Sequence, residues 1–187
     1  MSCWATCSRA FVLALLLLGL PGAARPAAAK VFLTVDEALK VAFPGCEVTR
    51  RTAYLTEGQL KRARELSGVE VPSALVAYYV ATRGGQPAGT AYFDTHRVRT
   101  LPETLLVVVD PQGKVSRVEV ISFREPEDYL PRGAWYEQFK GETLDRDLQI
   151  KRDIHPVTGA TLTARATTNA VRRVLALHKV VAEGGKP

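Results

Sequence analysis

The chain has 187 residues, 47% of them hydrophobic, and a formal charge of +6 from 25 basic and 19 acidic side chains. That is enough for one substantial core and little more than one domain. A modest positive charge without a basic stripe and interleaved aromatics excludes a dedicated nucleic-acid binder.

Residues 1–29 have the layout of a secretory signal peptide: Arg9 in a short n-region, an apolar run over Ala10–Leu20, a break at Pro21-Gly22, and Ala27-Ala28-Ala29 as the cleavage site. A membrane helix needs about 20 apolar residues, so an N-terminal anchor extending through Ala24 is the alternative. Cleavage near Ala29 leaves 23 basic against 19 acidic residues, a charge of +4, and Cys46 as the remaining cysteine. One cysteine builds neither an internal disulfide nor a CxxC or zinc site. The expected product is exported, periplasmic or on the cell surface, with residues 30–187 as its functional domain.

Thr34-Val35-Asp36-Glu37 is a capping box, and Val35, Ala38, Leu39, Ala42 and Phe43 follow at helical spacing until Pro44-Gly45. Glu47–Leu55 reads as extended. Thr56-Glu57-Gly58-Gln59 repeats the capping-box pattern before a short basic helix ending at Gly68. Strands are expected over Ala74–Thr82 and Gly89–Asp94, joined by a Gly-rich turn over Arg83–Pro87, and again over Thr104–Val109. Asp110-Pro111-Gln112-Gly113 fits a type I turn, returning the chain as a strand over Val115–Phe123. Arg124–Pro131 reads as a charged loop, and Ala134–Lys140 as a short helix closed by Gly141. From Thr163 onward, Thr167, Ala170, Val174, Leu177 and Val181 mark an amphipathic helix laid on a sheet, with Arg165, Arg172, Arg173 and Lys179 off that line. The expected fold is a single α+β domain, with an antiparallel β-rich centre flanked by helices and a long C-terminal amphipathic helix.

Immediately before that helix stands His155-Pro156-Val157-Thr158-Gly159-Ala160-Thr161-Leu162-Thr163. Small residues at Gly159 and Ala160 admit a bulky group to the backbone. Hydroxyls cluster, and a helix N-terminus favours phosphate. The residues by themselves leave two readings open: a phosphate-binding turn, or plain helix capping with Thr163 as the N-cap.

Thr158-Gly159-Ala160-Thr161 followed by Leu162-Thr163 resembles the flavinylation motif of the FMN-binding domain family, which includes subunits of sodium-pumping quinone reductases and Rnf-type complexes. The resemblance implies FMN attached through its phosphate to Thr161 by a dedicated flavin transferase that uses FAD and a divalent metal. It also implies that Thr158, Gly159, Ala160, Thr161, Leu162 and Thr163 form the cofactor-binding turn. A threonine hydroxyl is a weak nucleophile that needs activation, and the transferase would supply it, so no catalytic residue and no metal ligand is expected in this chain. The family usually carries Asp three residues before the first Thr; here His155 stands there, with Asp153 two positions earlier. Glu125-Pro126, then Trp135 and Phe139-Lys140-Gly141, echo a second family segment that is otherwise glycine-rich.

His96 lies in the polar run Asp94–Thr100, read as a solvated connection whose Arg97 and Arg99 could reach flavin oxygens. His155 and His178 are read as structural. Tyr78, Tyr79, Tyr92, Phe93 and Trp135 are stacking candidates, with core packing the commoner role of strand aromatics. The implied function is an exported electron-transfer flavoprotein. Its partners would be redox proteins, among them membrane-bound respiratory components. The alternatives are a flavin-dependent reductase of a small acceptor, and a non-redox binding or scaffold module.

Overall fold

The computed structural model describes residues 30–184; the signal-peptide reading of residues 1–29 lies outside them. A two-residue strand β1 (Lys30–Val31) precedes helix α1 (Val35–Ala42), strand β2 (Glu47–Tyr54) and helix α2 (Glu57–Ser67). Strands β3 (Leu75–Arg83), β4 (Gln86–Arg97), β5 (Pro102–Val109) and β6 (Val115–Phe123) follow. The chain then forms a 3-10 turn over Glu127–Tyr129, a one-turn helix α3 (Gly133–Tyr136) running into a 3-10 turn over Glu137–Phe139, and the long helix α4 (Thr161–Gly184). The strands make one antiparallel sheet in the order β1-β6-β5-β4-β3-β2.

Both expected capping boxes form. The Thr34 hydroxyl accepts the Glu37 N–H while the Glu37 carboxylate accepts the Thr34 N–H, and Thr56 with Gln59 does the same. Gly68 ends α2 in the left-handed conformation. These are interactions across three residues, so local sequence decides them.

The sheet is buried on both faces at its centre. On β5, Leu105, Val107 and Val109 enter a core shared with α2, α3 and α4, while Leu106 and Val108 face Ala38, Leu39 and Phe43 of the α1 side. A strand covered on both sides needs the unbroken Leu-Val run that marks β5. Strand β6 sends Val118 to the α4 face and Ile121 to the α1 face.

Several boundaries depart from the sequence reading. Strand β4 extends from Gln86 to Arg97, so the turn shrinks to Gly84-Gly85, whose φ values of 56° and 78° suit a two-residue hairpin. Asp94–Arg97 is therefore strand, not loop, because it pairs residue by residue with Pro102–Leu105 and finds buried polar partners. The expected helix over Ala134–Lys140 splits into α3 and its 3-10 extension. Helix α4 begins at Thr161, two residues ahead of the expected start. Two of its arginines, Arg172 and Arg173, are half-buried, whereas Arg165 is exposed. Arg172 donates to the carbonyls of Ser67, Asp145 and Leu148 at 2.8–3.0 Å, tying α4 to α2 and to the loop before it.

Gly89 sits where β3 and β4 lose register, with φ 148°. A Cβ there would lie 2.9 Å from the Val109 carbonyl oxygen and 3.1 Å from the Phe43 ring. Gly89→Ala is expected to cost about 1–3 kcal/mol, as overpacking against rigid backbone does, read from the midpoint of urea unfolding.

Candidate functional site

The site is built at the N-terminus of α4. Ala160 takes the N-cap position: its carbonyl accepts the Ala164 N–H at 2.9 Å, and its own N–H donates to Val157 at 3.2 Å. Alanine has no side-chain oxygen, so the N–H groups of Thr161, Leu162 and Thr163 have no cap from that position. Gly159 has φ 83°, a conformation that glycine adopts without strain, and open space around it. This overturns the capping alternative. Thr163 is the third helical residue and is buried, and its hydroxyl donates to the Tyr129 carbonyl at 2.6 Å. A hydroxyl engaged 34 residues away does not cap its own helix.

Thr161 is the first helical residue and is exposed; its hydroxyl donates to the Val157 carbonyl at 3.1 Å. A pocket of about 140 Å³ opens beside it, lined by Arg99, Tyr129, Gly159, Ala160, Thr161, Leu162 and Thr163. Five of the six motif residues therefore share one pocket. Thr158 is exposed on the same turn but does not line it.

Arg99 and Tyr129 complete the walls from distant segments. The Arg99 guanidinium lies 5.1 Å from the centroid of the Tyr129 ring, a cation–π distance. Arg99 is a candidate from its charge; Tyr129 carries no sequence signal beyond its place in a charged loop. What brings them together is Glu125. Its buried carboxylate accepts the backbone N–H groups of Thr100 and Leu101 at 2.7 Å and of Arg99 at 3.2 Å. Burial pushes the Glu125 carboxyl up, but the donors from Leu101, Thr100 and Arg99 outweigh it and hold the group below the usual carboxylate range. Glu125 is thus an anchor between the β4–β5 turn and the segment carrying Tyr129. Its lowered pKa stabilises the fold above the unfolded value of about 4.3, and that contribution is lost as pH falls through the folded pKa. Glu125→Gln is expected to shallow the acid limb of a stability–pH profile measured by urea unfolding.

The remaining candidates lie elsewhere. His155 is held by its backbone, donating to the Gln138 side chain at 2.8 Å and accepting the Trp135 indole N–H at 2.7 Å, while its ring is exposed. Trp135 is accordingly buried core, packed edge-on against Tyr136 and Phe139. Tyr78 and Tyr92 stack at 5.8 Å, and Tyr92 shares a 3.1 Å hydrogen bond with His178. Tyr79 and Phe93 pair edge to face at 5.6 Å. None of these aromatics lines the Thr161 pocket. His96 is not in a solvated connection. It is enclosed between Asp94 and Glu103, at 3.0 Å from each. Cys46 is the one free cysteine among the described residues and is half-buried.

The chemistry of this pocket is that of an anion site. It combines uncapped helical N–H groups, a guanidinium and an exposed hydroxyl, and no acidic side chain lines it. Its volume holds a phosphate and the start of a chain, well below the roughly 300–1,000 Å³ of a whole-ligand pocket.

The site sits on an α+β domain, with an uncapped helix N-terminus and an arginine beside it, and comparison with known proteins places this region near a known class of domain. Residues 101–176 match the model of the FMN-binding domain. The match spans β5, β6, the Glu125 anchor and the Thr161 turn, with most of α4. The chain is also 28% identical over 130 residues to a subunit of the ion-translocating oxidoreductase complex of Shewanella loihica (strain ATCC BAA-1088 / PV-4), across 60% of this chain and 58% of that protein. It thus spans little more than half the length of that relative. No solved structure matches.

Proposed function

We propose that this chain is an exported electron-transfer flavoprotein carrying FMN as a phosphoester on Thr161. The observation that carries the reading is the exposed Thr161 hydroxyl at an uncapped helix N-terminus, beside Arg99 and within the family-matched residues. In maturation, a flavin transferase would present FAD with a divalent metal. The Thr161 oxygen bonds to the FMN phosphorus, the pyrophosphate P–O bond breaks, AMP departs, and the hydroxyl proton passes to the transferase.

Once bound, the flavin accepts and donates electrons. This chain's residues do the rest. The α4 N-terminus and Arg99 offset the phosphate charge, Gly159 keeps the approach clear, and Thr163 and Glu125 fix the walls. The similarity to a component of an oxidoreductase complex supports membrane-bound respiratory partners.

The test is co-expression of the full chain with a flavin transferase, then intact mass and flavin fluorescence after denaturation. The expected result is one covalent flavin per chain, absent without the transferase. A colourless protein in both cases overturns the proposal, and flavin lost on denaturation overturns the covalent bond. Export is tested separately by finding Lys30 or a close neighbour at the mature N-terminus.

A further inference from the structure

Strand β6 pairs with β5 along one side, but its other edge is filled only at the two ends. At one end Lys30 and Val31 pair antiparallel with Phe123 and Ser122, and the Phe32 N–H donates to the Ile121 carbonyl at 2.9 Å. At the other, the Val115 N–H donates to the Glu142 carbonyl at 2.9 Å, and the Val115 carbonyl accepts the Gly141 N–H at 2.7 Å. Val115 thus points its main-chain groups away from its β5 partner, Val109. Past the bulge, the pairs Val108–Arg117, Val107–Val118, Leu106–Glu119 and Leu105–Val120 follow in order. Bonded and non-bonded pairs alternate along an antiparallel ladder. Arg117 and Glu119 therefore bond β5, while Val118 and Val120 turn N–H and C=O outward, where they have no partner among the described residues.

A cavity of about 500 Å³ lies along this gap. All five residues 116–120 line it, although successive side chains of a strand point to opposite faces. Only a cavity running along the strand's edge meets all five. Its far wall is built by Leu130, Pro131, Tyr136, Glu137 and Lys140, so the edge is one side of a preformed slot. The slot is about 16 Å long, the span of a five-residue strand. Outward N–H and C=O groups in alternation are matched by one kind of ligand, an extended main chain.

The ends of the slot define that ligand further. A strand in this lane, antiparallel to β6 as β1 is, runs from Phe32 toward Gly141 and must stop there. The free C-terminal end of a chain does so without a turn. Of the cavity's charges, Arg117 and Glu119 are paired with each other at 2.9 Å. Exposed Lys140 has no ion pair among the described residues and is next in the chain to Gly141, at the closed end. We infer that this slot binds the C-terminal tail of a partner protein, added to β6 as a short antiparallel strand with its carboxylate against Lys140. Alternate side chains of the tail lie against Leu130 and Tyr136, which favours apolar residues there. The slot shares no lining residue with the Thr161 pocket, so the inference stands or falls apart from flavin attachment.

The test uses the full chain and two pools of randomised hexapeptides, one ending in free carboxylates and the other in amides. Affinity selection is expected to enrich peptides from the free-acid pool. For an enriched peptide, fluorescence anisotropy should show the amide form binding about two- to fivefold more weakly, with Lys140→Ala removing that difference. In hydrogen exchange, the peptide should slow the amides of Val118 and Val120 and leave those of Arg117 and Glu119, already bonded to β5, unchanged. A peptide methylated on the main-chain nitrogens that face β6 should not bind. No enrichment from the free-acid pool overturns the inference. Equal binding of acid and amide overturns it too, as does a bound peptide that leaves Val118 and Val120 unprotected.

Discussion

Thr161→Ala, co-expressed with a flavin transferase, is expected to yield a folded protein with no attached flavin, while Thr158→Ala is flavinylated like the wild type. The two threonines share one turn and both are exposed, yet only Thr161 lines the pocket beside Arg99. Thr161 gives up a single exposed hydrogen bond to Val157 in the substitution, worth about 0.5–1.5 kcal/mol at most. Alanine is moreover the best helix former. Stability therefore changes little while attachment falls to zero, since no other hydroxyl stands at the first helical position. Intact mass reads the attachment, and a thermal melt reads the stability. Attachment surviving in Thr161→Ala and lost in Thr158→Ala would move the site to Thr158.

Asp94→Asn is expected to be among the most destabilising single substitutions in the chain, costing about 3–5 kcal/mol. Asp94 is the shared acceptor of Arg173 and His96, and all three side chains are largely buried, at 9–12% exposed. Removing its charge leaves a guanidinium and an imidazolium against one remaining carboxylate, Glu103. Against a typical stability of about 5–15 kcal/mol, the loss is plain in a urea melt. The pH dependence supplies a sign. Burial pushes the Asp94 carboxyl up, but the bonds from His96 and Arg173 hold it below its usual range. Its contribution is present above the unfolded value of about 3.9 and is lost as pH falls through the folded pKa. The raised His96 pKa works oppositely: its contribution is complete below about 6.5 and is lost as pH rises through the folded value. Wild-type stability should therefore be greatest between about pH 4 and 6.5, and Asp94→Asn should flatten both limbs. A variant as stable as the wild type at about pH 5.5, inside that window, would show that the cluster does not hold α4 to the sheet.

Whatever depended on neighbours within a few residues was legible in the sequence. The boxes at Thr34 and Thr56, the left-handed stop at Gly68, the strand over Val115–Phe123 and the α+β order all follow from caps, turns and periodicity. These act through bonds to the adjacent turn or through a face repeated along one element. The Thr158–Thr163 turn was legible too, as residue types and as a family resemblance. Tertiary structure decided which of its hydroxyls is available. Thr163 has the look of an N-cap, but the Tyr129 carbonyl claims its hydroxyl, so the helix starts at Thr161 and presents that side chain instead. The fate of Asp94–Thr100 was decided in the same way. Its polar residues read as solvated, yet Arg173 and Glu103, from α4 and β5, provide the charges that let Asp94 and His96 be buried. Arg99 meets Tyr129 only because Glu125 gathers three backbone N–H groups from across the sheet end. A buried charge or a donated hydroxyl is set by partners distant in the chain, and no local pattern encodes where those partners fold.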